Sequence, residues 1–282
     1  MSINISVDST GDAAQLNENF AVIPFHIILN KDSFEDGVNI TPSSLLSFFD
    51  KTRQTAQTSA PSTGEYLDFF KALTENGDSL VHLCMSKELS AAYSNALRAK
   101  NMLTDRDIRL IDTRSLSGGL ALLALTAQRA IDTGADIDTA EKLIKNNQNR
   151  LQVSFVINST ETLYRGGRCT SAQKFATQAL SIKPMISMSD GKLGVSKKFI
   201  GSFNSSVHKY IDFICSSARD NADTSYALLL YTEGTDEALV TQAKEQAENE
   251  GIFDKIYCYK AGCTVTAHCG RDTIGLLYCI KN

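Results

Sequence analysis

The chain predicts an α/β fold in two domains, a mostly parallel α/β/α sheet in residues 1–150 and a mixed α/β domain in residues 151–282. Three observations carry that expectation. Strand-like apolar runs at 3–7, 80–84 and 108–111 alternate with helical patterns at 62–75, 89–103 and 115–133, the order that builds a parallel sheet with crossover helices. Asp190-Gly191, between apolar runs at 182–187 and 192–196, is a strong hairpin signal and predicts antiparallel pairing in the second half. A helical pattern at 138–149 follows the stop Asp132-Thr133-Gly134 and leads into a strand at 153–157, which sets the domain boundary near residue 150.

In chain order, residues 1–7 alternate apolar and polar and read as the first strand. Residues 20–34 are rich in Val, Ile and Phe and end at the turn Asp36-Gly37. Thr41 is placed to cap a short helix reaching about residue 51, with Pro42 at its first position, where a missing N–H costs nothing. The second half continues with a helix at 205–217, a strand at 226–231, a helix at 236–249, and strands at 255–258 and 273–279.

A chain of 282 residues with 43% hydrophobic and 21% charged side chains has the composition of an ordinary globular protein. A net charge of −4 and the lack of basic residues interleaved with aromatics argue against nucleic acid as a partner. The N-terminus has neither the basic head nor the apolar run of a signal peptide. The most apolar stretch, 116–130, is broken by Ser117, Gly118, Gly119, Thr126, Gln128 and Arg129, so it reads as a buried helix and not a membrane span. Seven cysteines, an odd number in a chain able to fold without staples, suggest reduced thiols and a cytoplasmic location. Cys258, Cys263, Cys269 and Cys279 with His268 lack the paired spacing of a structural zinc site, and no metal is expected.

Two hydroxyl-rich turns stand out: Thr58-Ser59-Ala60-Pro61-Ser62, and the segment from Ser86 to Tyr93 that contains Ser90. Each precedes a helix, and a helix start offers unpaired N–H groups and partial positive charge to a carboxylate or a phosphate. Helix capping is the competing reading of both Thr58 and Ser90. Ser9, in Asp8-Ser9-Thr10 after the first strand, is either a turn residue or a head-group contact at the carboxyl end of a parallel sheet. His268 is a base, a donor or a satisfied core histidine. Gly166-Gly167-Arg168 is a flexible turn ending in a cation, and no Gly-x-Ser-x-Gly nucleophile elbow is present.

These motifs occur with Asp36-Gly37-Val38-Asn39-Ile40-Thr41-Pro42, Leu89-Ser90-Ala91-Ala92-Tyr93, Ile111-Asp112-Thr113, Lys183-Pro184, Asp190-Gly191 and His268-Cys269-Gly270 in one order across nearly the whole chain. In that order the chain resembles the DegV family of bacterial fatty-acid-binding proteins. The resemblance implies a fatty acid of the palmitate, stearate or oleate class buried between the two domains. It implies that Thr58, Ser90, His268 and Ser9 surround the carboxylate, that Ser59, Ala91 and Gly270 are neighbouring contacts, and that Arg168 lies on the surface meeting a fatty acid kinase. On that reading the chain is not itself an enzyme and needs no cofactor: the kinase makes the acyl phosphate, which feeds phospholipid metabolism. Burying ~14 methylenes at about 0.8 kcal/mol each would supply of order 11 kcal/mol before ordering costs. The carboxylate would need charge-assisted donors to offset its lost solvation. The alternative reading is a hydrolase or acyltransferase with Ser90 as nucleophile and His268 as base. The sequence departs from the family pattern at Ala91 and Ala92, where the family usually has Gly and Thr, and at Gly270-Arg271-Asp272, which leaves Arg271 either near the acid head or paired with Asp272.

Overall fold

A computed structural model describes residues 2–172 and 181–281. The chain opens with β1 (Ile3–Asp8), β2 (Ala21–Ile23), β3 (His26–Leu29), β4 (Asp32–Glu35), α1 (Pro42–Thr52), β5 (Gln57–Ser59) and α2 (Thr63–Leu73). It continues through β6 (Ser79–Cys84), α3 (Ala92–Asn101), β7 (Ile108–Asp112), α4 (Gly118–Asp132), α5 (Ile137–Gln148), β8 (Leu151–Gln152), β9 (Ser154–Ile157) and α6 (Glu161–Arg165). The remaining elements are β10 (Ile182–Ser189), β11 (Lys192–Ile200), α7 (Phe203–Ala218), β12 (Ala222–Tyr231), α8 (Glu237–Asn249), β13 (Ile256–Lys260), α9 (Cys263–Cys269) and β14 (Thr273–Ile280).

The fold is mixed α/β, with a parallel sheet first and a mixed sheet second. The parallel sheet has the order β2-β1-β6-β7. The mixed sheet runs β11-β10-β9-β14-β12-β13, with β8 paired to β14, and Asp190-Gly191 turns the expected β10–β11 hairpin. Residues 20–34 do not form one run. After β2 joins the parallel sheet, β3 and β4 leave it and pair with β5 in a three-stranded antiparallel sheet.

Local chemistry accounts for the helix starts. Thr41 and Ser44 form a capping box around Pro42, and Ser62 and Glu65 form another at α2, each saving two N–H groups that would otherwise lack partners. Helix α4 is buried along most of its length and joins the two large sheets in one cluster, which holds Leu122 together with Val7 and Val81 of the parallel sheet and Leu228 and Leu277 of the mixed sheet. A Cβ at Gly118 would lie 2.7 Å from Leu230, so the first turn of α4 approaches β12 only without a side chain there.

The expected boundary near residue 150 falls between α5 and β8. Packing crosses that point: α9, from the second half, lies against β3, β5 and α1, with Cys263 and Ala267 buried among Ile27, Leu29, Ile40 and Leu45. Among the described residues no helix is long and apolar enough to cross a membrane.

Candidate functional site

Helix α9 brings the second half's His268 to the first half's Thr58. Thr58 lies on β5 opposite Ile27, not at a helix start, and the cap of α2 is Ser62. His268 Nε2 and Thr58 Oγ1 are 2.9 Å apart. Burial, with the Arg168 guanidinium adding to it, lowers the imidazole pKa to about 4, so the ring is neutral at pH 7. Among the described residues Nδ1 is buried without a hydrogen-bond partner. An orphaned N–H is rarer than an orphaned acceptor, which favours the tautomer with the proton on Nε2. His268 then donates to Thr58, and the Thr58 O–H is free to donate onward.

Ser90 precedes α3, and its Oγ accepts the Ala92 N–H at 3.2 Å. Among the described residues no group accepts its proton or, in this tautomer, that of Thr58. Both expected hydroxyls therefore face one cavity as available donors, which is the polarity a carboxylate requires. The cavity measures ≈ 230 Å³. Arg168 lines it too, donating to the Gly166 carbonyl at 2.5 Å and to the Leu89 carbonyl at 3.4 Å. The walls are otherwise largely apolar, among them Phe25, Met85, Leu89, Leu163 and Leu193. A narrower space of ≈ 30 Å³ shares Leu116, Val265 and Cys269 with this cavity and extends apolar surface past Phe155, Leu230 and Leu277.

Ser59 and Ala91 also line the cavity, and Ser59 Oγ donates to the Ala60 carbonyl at 3.3 Å. Gly270 ends α9 with a φ of 69° and does not line the cavity. Ser9 is not a lining residue. Its hydroxyl donates to Asp36 at 3.2 Å and accepts the Phe25 N–H at 3.0 Å, so the fold uses both of its functions. The next residue, Thr10, lines the cavity, and its buried Oγ1 has no hydrogen-bond partner among the described residues. Thr10 was legible only as part of Asp8-Ser9-Thr10, because a 3-10 turn decides which of two adjacent hydroxyls points inward. Arg271 neither reaches the cavity nor pairs with Asp272; it bonds Asp50 on α1.

Two other groupings bear on the chemistry. Ser90 and His268 share the cavity, yet no hydrogen bond joins them among the described residues, and the partnerless Nδ1 leaves the ring without the orienting group of a triad. Asp8, His82 and Cys84 are buried with metal-like spacing. Most of their polar atoms are engaged: Tyr66 donates to Asp8 Oδ1 at 2.6 Å, the Met85 N–H to Asp8 Oδ2 at 2.8 Å, and His82 Nδ1 lies 2.7 Å from Ser6 Oγ, while His82 Nε2 lies 3.3 Å from Asp8 Oδ1 without a hydrogen bond among the described residues. The grouping reads as a buried core network tied by hydrogen bonds to Ser6, Tyr66 and the Met85 backbone.

Fold and site together define an α/β protein with a largely apolar cavity whose lining includes the Thr58 and Ser90 hydroxyls, a neutral imidazole and a guanidinium. A family model described as "Uncharacterised protein, DegV family" matches residues 2–281, and the chain belongs to the DegV family. A DegV domain-containing protein of Clostridium perfringens is 28% identical over 279 residues, 98% of each chain. Among solved structures, a DegV family protein from Thermus thermophilus described for its fatty-acid binding superposes with a TM-score of 0.90 at 22% identity, over 99% of this chain and 100% of that one. A DegV family protein from Eubacterium eligens loaded with heptadecanoic acid gives 0.85 at 18% identity, over 99% and 100%.

Proposed function

We propose that this chain is a two-domain fatty-acid carrier, divided near residue 150, that buries a long-chain acid and presents its carboxylate to a separate fatty acid kinase for acyl-phosphate formation. The observation that carries the reading is that two donor-ready hydroxyls, Thr58 and Ser90, line one largely apolar cavity. A free phosphate would not use the apolar walls; a carboxylate on a long tail uses both ends. Arg168 supplies charge beside the head group and lies at an exposed position where a kinase could meet it. The bound fatty acids of the solved relatives support the same occupant. Phospholipid synthesis in the cytoplasm is the setting this activity fits. The hydrolase reading is not favoured, because His268 serves Thr58 and not Ser90.

Mass spectrometry of organic extracts from protein purified out of lipid-replete cells tests the proposal. A stoichiometric long-chain acid is expected. Empty protein that also fails to take up palmitate, stearate or oleate from solution overturns it.

A further inference from the structure

We propose that Asp36 is the positioning residue that sets the rotation of α9 and so delivers His268 to the head-group site. Asp36 is 5% exposed. Its carboxylate meets four donors: the N–H groups of Cys263 at 2.8 Å and Thr264 at 3.0 Å, the Thr264 hydroxyl at 2.6 Å, and the Ser9 hydroxyl at 3.2 Å. No Lys or Arg pairs with it among the described residues. The charge is held by the first turn of a helix only seven residues long.

A helix of that length has almost no stability of its own, so its orientation must come from contacts at its ends and along its buried side. Thr264 and His268 are four residues apart and lie on the same face of α9. Fixing Thr264 against Asp36 therefore fixes the direction in which His268 projects. Both side chains line the cavity. The approach is close enough that a Cβ on Gly262 would sit 2.6 Å from Asp12 and 3.2 Å from Asp36, which accounts for glycine at the helix cap. The same network gives the Asp36-Gly37 motif and Ser9 their role. Ser9 contributes to the head group at one remove, by bonding Asp36.

The inference rests on the proposed head-group site, but its test reads His268 directly and needs no lipid, so failure of one is distinguishable from failure of the other. In Asp36→Asn the amide presents an NH₂ where the native oxygens accept only from donors, and the clamp loses contacts in either amide orientation. The imidazole of ¹³C-labelled protein is followed by NMR across pH, with the His268 signal assigned by its loss in His268→Asn. The expected result is titration moving up from about 4 toward the free value of roughly 6.5, together with about a tenfold weaker affinity for a fluorescent fatty acid. Ser9→Ala, which removes one of the four donors, moves the titration the same way by a smaller step, and it decides the matter if Asp36→Asn does not fold. Ile214→Val, in the distant α7 core, is the control for destabilisation alone and leaves the titration in place. Unmoved His268 titration in the folded clamp variants, or an equal movement in the control, overturns the proposal.

Discussion

Thr58 and Ser90 each spend their acceptor side on the protein and keep a proton for the cavity. Ser90→Ala removes one of these donors while leaving the apolar walls intact. The tail should supply most of the binding energy, so lipid retained through purification changes little. Acyl-phosphate formation by a partner kinase falls roughly tenfold or more, the worth of a hydrogen bond to a charged group; equal rates for variant and parent would show that Ser90 does not hold the carboxylate. Asp12 carries a different residue-scale consequence. Desolvation and then the neighbouring Asp36 charge raise its pKa well above the usual carboxylate value of 3.8, outweighing the Gly262 N–H that pulls it down. A carboxylate whose folded pKa lies above its unfolded one stabilises at low pH, and that contribution is lost as pH rises through the folded value. Asp12→Asn should therefore raise Tm at neutral pH, with the gain closing as pH falls toward 3.8. Thermal melts of both proteins across pH check the sign, and a gain that grew on acidification would contradict it.

At the scale of elements, the two readings of the Thr58–Ser62 segment separate cleanly. Ser62 caps α2, whereas Thr58 sits on a three-residue edge strand and faces His268. Ser62→Ala should cost about 1 kcal/mol of stability and leave fatty-acid affinity unchanged. Thr58→Val, which keeps the β-branched shape, should leave stability near the parent's and weaken affinity by about tenfold. Denaturant melts and titration with a fluorescent fatty acid read the two quantities separately, and the same profile for both variants would mean the site is misassigned. The long elements were legible because their periodicity repeats: α2, α4, β1, β6 and the β10–β11 hairpin fall within a few residues of expectation. The elements that complete the site were not. β5, α6 and α9 have three, five and seven residues, too few to show a period against their neighbours. His268 was thus legible as a residue of interest but not as a helix residue turned toward an edge strand.

At the scale of the whole molecule, α4 is the shared core of both large sheets. Leu122 is fully buried within that cluster. Leu122→Ala should destabilise by about 2–5 kcal/mol, the usual cost of emptying a buried leucine site. Because the cluster contains both Val81 and Leu277, native-state hydrogen exchange should quicken in β6 and β14 alike; faster exchange confined to one sheet would show that α4 does not couple them.

The sequence by itself determined the alternation of strands and helices and the hairpin at Asp190-Gly191, and it marked Thr58, Ser90, His268 and Arg168 as residues of interest. Those are local or compositional properties, and short-range sterics and side-chain chemistry express them within a few residues. Only the tertiary structure decided how they meet. His268 reaches Thr58 across 210 positions of sequence because Asp36 and a buried apolar face hold α9 against the first half of the chain. The same packing put Thr10 inside the cavity and Ser9 outside it, and sent Arg271 to Asp50. Such choices depend on the relative placement of surfaces distant in sequence, and no periodicity or spacing encodes that placement locally.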